Sequence, residues 1–164
     1  MEEEFELLAL CMGTVKLNKI PNGRSLESLI DFNDKIRFDL SSLRQPLCLG
    51  EHEYLEPYVT SAIIATDLFC DSEYLYNYSN LEHAVITFSG QTVGYLDDRD
   101  ITDFHLGIFN LPKLKTLKLD ISALSPDQAE DMKISFRFSG TKIKVEFLES
   151  KRKSRLAMRK LQIS

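Results

Sequence analysis

The chain has 164 residues, 43% of them apolar and 27% charged, with a net charge of −5. Those proportions exclude a disordered or low-complexity polypeptide and leave enough apolar material for a core of its own. The acidic balance also speaks against a surface that grips nucleic acid all round, since phosphate contacts need clustered Lys and Arg.

The acidic start, "MEEEFELLALCMG", is the reverse of the basic start a secretory leader needs. The longest apolar run, "YVTSAIIATDLF" (58–69), falls short of the ~20 residues that cross a bilayer. Cys11, Cys48 and Cys70 are odd in number, form no CxxC and sit among apolar neighbours, so they read as reduced core thiols. Together these features predict one domain over 1–164 in the cytoplasm, away from membranes.

Residues 22–32 predict a short helix capped by Ser25, with Leu26, Leu29 and Ile30 on one face. In 35–42, Ile36, Phe38 and Leu40 alternate with polar residues, the period of a half-buried strand. The region 47–80 stays open between a helix broken at Pro57 and a strand, its β-branched content favouring strand. Ala84, Ile86 and Phe88 repeat the period-two pattern and run into Ser89-Gly90, a two-residue turn that would bring Ile86 opposite Val93.

Residues 111–124, "LPKLKTLKLDISAL", carry the leucine-rich spacing L-x-x-L-x-L, with Ser122 where that pattern has Asn. A solenoid unit needs stacked neighbours at a period of about 20–29 residues. Residues 92–101 upstream do not repeat the pattern, so the stretch reads as an ordinary strand. Ser125 and Pro126 then start a helix over 125–132. Residues 132–147 predict a hairpin turning at Ser139-Gly140, with Met132, Ile134, Phe136, Ile143, Val145 and Phe147 on its buried side. The fold class that follows is α+β and β-rich: a mostly antiparallel sheet with two hairpins and two or three short helices.

No catalytic, metal or cofactor motif stands out, and no enzyme is expected. Asp97, Asp98, Asp100 and Asp103 crowd around Arg99 in a segment read as a turn between strands. Clustered carboxylates suit a basic protein partner or a hard cation, but the spacing of a calcium loop is absent. Lys151, Arg152, Lys153 and Arg155 open a basic tail at 151–164 that lacks aromatic residues for base stacking. The expectation is a non-enzymatic, adaptor- or immunity-like domain that binds a protein partner through its acidic surface. A nucleic-acid-associated subunit using the tail, and a metal-dependent hydrolase on Asp97–Asp103, are the alternatives.

Overall fold

The computed structural model describes residues 13–21, 25–66, 74–88, 98–137 and 142–149. Seven strands form one sheet: β1 (Thr14–Lys16), β2 (Arg37–Leu40), β3 (Leu47–Cys48), β4 (Val59–Thr66), β5 (His83–Phe88), β6 (Thr116–Asp120) and β7 (Lys144–Leu148). Their spatial order is β1-β2-β4-β5-β6-β7, which is also chain order, and β3 pairs with β4 beside that path. Every pairing is parallel. Three helices lie in the crossovers: α1 (Ser25–Phe32), α2 (Asp98–Phe109) and α3 (Pro126–Arg137). No helix among the described residues is long and apolar enough to cross a membrane.

The spacing of buried residues explains the stack. Val59, Ala62, Ile64 and Thr66 share one spacing with Leu81, Ala84, Ile86 and Phe88, and with Leu114, Leu117, Leu119 and Ile121; all of them are buried. Register sets Ala62, Ala84 and Leu117 side by side, with Ile64, Ile86 and Leu119 in the next row. Apart from β3, each strand lies parallel to the next one along the chain, as in a solenoid, in which each coil buries its apolar face by stacking on the next. Asn80 ties three coils together: its amide donates to the Pro57 carbonyl at 2.7 Å and its oxygen accepts from Lys113 Nζ at 2.6 Å. The buried side chains from Val15 to Phe136 form one cluster. On the helix side, Phe88 of β5 meets Phe104 of α2, and Phe104 meets Phe136 of α3, at centroid distances of 5.6 and 6.1 Å.

The parallel sheet overturns the antiparallel expectation. Period-two alternation reports that one face is buried and says nothing of strand direction, so the strands were placed correctly at 37–40, 83–88 and 116–120 while their pairing was not. The hairpin over 132–147 fails because 126–137 is helix. Ser125 and Gln128 cap it reciprocally: the Ser125 N–H donates to Gln128 Oε1 at 3.1 Å and the Gln128 N–H to Ser125 Oγ at 3.2 Å. Met132 and Phe136, four apart, are buried, whereas Ile134 between them is 43% exposed. The helical period has won over the alternating one. The second hairpin fails because β5 already has β4 on one side and β6 on the other. The turns themselves, Ser89-Gly90 and Ser139-Gly140, lie outside the described residues.

The leucine-rich stretch is a strand, as expected, and also one coil of a stack. Its partner is not 92–101. It is 81–88, 33 residues upstream at the His83–Thr116 pair, because α2 lengthens that crossover. Of the cysteines, Cys48 is exposed on β3 and not a core thiol; Cys11 and Cys70 lie outside the described residues.

Candidate functional site

Parallel sheets are normally covered on both faces, because their crossovers supply helices to each side. Here α2 and α3 meet one face through the aromatic contacts of Phe88, Phe104 and Phe136, and the buried residues of α1, Leu26, Leu29 and Ile30, belong to the same apolar cluster as the inward strand residues. The other face is left half-exposed or fully exposed. Pleating sends alternate residues of each strand to it. One row across the strands is Lys16, Asp39, Ser61, His83, Thr116 and Lys144; the next is Ile63, Val85, Lys118 and Glu146. Ala65, Thr87, Asp120 and Leu148 follow. The middle of the face is therefore neutral and partly apolar, around Ile63 and Val85, and the charges stand toward its two ends.

Polar contacts hold this face in shape. His83 Nδ1 and the Thr116 hydroxyl share a 2.7 Å hydrogen bond from β5 to β6. Asp39 and Asp120 each turn one carboxylate oxygen to the serine two residues on. Oδ1 of Asp39 accepts from the Ser41 N–H at 2.9 Å and its hydroxyl at 2.6 Å. Oδ1 of Asp120 accepts from the same groups of Ser122 at 3.1 and 2.6 Å. Lys118 and Glu146 stand 4.0 Å apart. At the rim Lys115 pairs with Glu82 at 2.5 Å, and that bond holds the Glu82 carboxyl below its usual range. At the other end of the sheet the Arg37 guanidinium donates to the Asp34 and Ile36 carbonyls and lies 5.9 Å from the centre of the Tyr58 ring.

A second feature lies at the carboxyl ends of β1, β2 and β3. The loops that follow them enclose a groove of about 570 Å³, with Lys19, Arg44, Glu51 and His52 among its polar lining and Ile20, Leu43 and Leu47 as its apolar part. One wall is fixed by Glu56, 1% exposed. Its Oε1 accepts from the Gly50 N–H at 3.0 Å and its Oε2 from the Asn77 amide at 3.4 Å, which joins the loop after β3 to the 3₁₀ turn at Tyr74–Asn77. Gly50 has φ +79°, a conformation that glycine adopts without strain. Burial raises the Glu56 carboxyl above its ordinary value, against the hydrogen bonds from Asn77 and Gly50. Tyr78 beside it is raised too, by burial first and then by the Glu56 charge.

The residues singled out in the sequence fall elsewhere. Asp98 and Asp100 are in the first turn of α2, and Asp103 is exposed one turn on, so the acidic segment opens a helix and is not a turn between strands. Negative charge at a helix start is favourable, which gives this cluster a structural reason to exist. Asp97, Lys151, Arg152, Lys153 and Arg155 lie outside the described residues. Among the described residues no three His, Cys, Asp or Glu side chains gather as a metal site would require. The open face itself was missed. Its signal was present in the outward residues of the strands, Thr116, Lys118 and Asp120 among them, but only the parallel stacking brings them to one surface. No family model, curated protein or solved structure matches the chain.

Proposed function

We propose that this chain is a non-enzymatic protein-binding module of the cytoplasm, and that it takes its partner on the uncovered face of the parallel sheet. The observation that carries this reading is that face: a parallel sheet with a solvated side whose centre holds Ile63 and Val85. Solenoids use such continuous surfaces for recognition, because stacked strands present side chains in fixed rows. The cytoplasmic setting draws its support from the odd, unspaced cysteines. The acidic segment at the start of α2 is a second contact candidate within the same proposal, since clustered carboxylates raise association rates with basic partners.

Affinity capture with three baits separates the two surfaces: the wild type, Val85→Arg, and Asp97→Asn, Asp98→Asn, Asp100→Asn combined. Melting temperatures are checked first, so that loss of binding is not loss of fold. A partner retained by the triple variant and lost by Val85→Arg supports the open face. The reverse pattern moves the contact to α2.

A further inference from the structure

The sheet ends at β7, and we infer that its outer edge pairs with β7 of a second copy of this chain, antiparallel and centred on Val145. The inference concerns the edge of the sheet and stands apart from the reading of its open face. β7 pairs with β6 on one side, and among the described residues no strand lies on the other. The Lys144 N–H donates to the Lys115 carbonyl at 2.9 Å, and the Leu148 carbonyl accepts from the Ile121 N–H at 3.0 Å. Successive residues of a strand turn their backbone groups to opposite sides. Lys144, Glu146 and Leu148 therefore serve β6, while Val145 and Phe147 present N–H and C=O groups to the edge. Such a row is a template for another strand. The apolar layer stops there as well. The rows Ala62, Ala84, Leu117 and Ile64, Ile86, Leu119 are at most 3% exposed, yet Val145 and Phe147, which continue them, are only half-buried.

The occupant follows from the sequence of the edge. Ile143-Lys144-Val145-Glu146-Phe147 reads apolar, positive, apolar, negative, apolar, and is complementary to itself when reversed. Antiparallel pairing about Val145 sets Lys144 opposite the second copy's Glu146 and Ile143 opposite the second copy's Phe147, and two-fold symmetry repeats both pairs. Val145 meets the second copy's Val145 with the edge-facing N–H and C=O groups of both, which is the hydrogen-bonded type of pair. Lys144 and Glu146 then fall in the other type, where side chains stand closest. Slipping by two residues in either direction sets Lys144 against Lys144 or Glu146 against Glu146, and like charges directly opposite destabilise a sheet. The Lys118–Glu146 pair, 4.0 Å apart, survives this pairing: the second copy's Lys144 takes the other side of Glu146 and extends a row of alternating sign. The opposite edge of the sheet, β1, offers three residues, Thr14-Val15-Lys16, with no acidic member to meet its lysine.

Light scattering after size exclusion, run on the full chain from micromolar to millimolar concentration, tests this. The wild type should approach twice the mass of one chain as concentration rises. Val145→Pro removes an N–H that faces the edge and not β6, so the chain should stay folded while dimerisation weakens tenfold or more. Lys144→Glu alone and Glu146→Lys alone each set like charges opposite one another and should weaken it as much. An equimolar mixture of those two variants restores both pairs of opposite charge and should recover the dimer, a result that loss of fold does not produce. A wild type that stays monomeric throughout, assemblies that grow beyond a dimer, a folded Val145→Pro chain that dimerises as the wild type does, or a mixture that stays monomeric overturns the inference.

Discussion

One buried and one half-buried titratable side chain link single residues to the stability of the whole. Glu56 is the better placed. Glu56→Ala removes the acceptor for the Gly50 N–H and the Asn77 amide, and should cost about 1–3 kcal/mol in denaturant melts. Its pH dependence has a definite sign. The folded carboxyl is raised, so above the ordinary value of 4.5 the folded state holds this proton more tightly than the unfolded one. Stability from this group therefore falls as pH rises from 4.5 through the folded value, and is level above it. Glu56→Gln should abolish that slope. His105 works in the opposite direction. Its ring sits 4.2 Å from Phe109 and 4.9 Å from Phe136, its Nε2 is buried without a partner, and burial lowers it from 6.5 despite a bond to the Ser135 backbone. Its stabilising contribution is complete above 6.5 and is lost as pH falls from there through the folded value. On going from about pH 7.5 to about pH 5.5 the wild type should lose more stability, by denaturant midpoint, than His105→Leu does.

At the scale of the element, α3 separates two readings of one stretch. As a hairpin, 132–147 would bury Ile134 and Phe136 on the same side. As a helix it buries Phe136 and exposes Ile134. Phe136→Ala should cost about 3–5 kcal/mol, and Ile134→Ala within about 0.5 kcal/mol. Equal costs would restore the hairpin. Ser125→Ala should cost about 1 kcal/mol through loss of the reciprocal cap. The start of this helix was legible, because Ser125 and Pro126 act locally. Its length was not. Met132, Ile134, Phe136 and Phe138 fit a strand pattern, and what decides for helix is tertiary: Phe136 packs against Phe104 and Phe109 of α2, far along the chain. The apolar face of α1 was legible, with Leu26, Leu29 and Ile30 buried as its spacing predicts. The acidic start of α2 was read as a turn, since four aspartates mask the apolar period of Ile101, Phe104 and Ile108 that follows.

At the scale of the molecule, the strands at 37–40, 83–88 and 116–120 were legible, whereas β1 was not read, β3 and β4 lay in a region left open between helix and strand, and the mutual arrangement of the strands was not legible. Leu114, Leu117 and Leu119 announced a coil, but the coil before it replaces leucine with Ala84 and Ile86, and α2 stretches the spacing between them. Irregular coils defeat a search at one fixed period. Parallel stacking predicts nuclear Overhauser contacts that pair Ala84 with Leu117 and Ile86 with Leu119, both in the same chain direction. That same stacking is what turns scattered outward residues into a candidate recognition surface. The most direct measurement is methyl NMR with a soluble paramagnetic chelate. In the isolated protein the methyls of Ile63 and Val85 should broaden strongly while those of Ile64 and Ile86, on the covered face, stay sharp. Adding the captured partner should then sharpen Ile63 and Val85. If those two are already protected in the isolated protein, the sheet is covered on both sides and has no open face to offer.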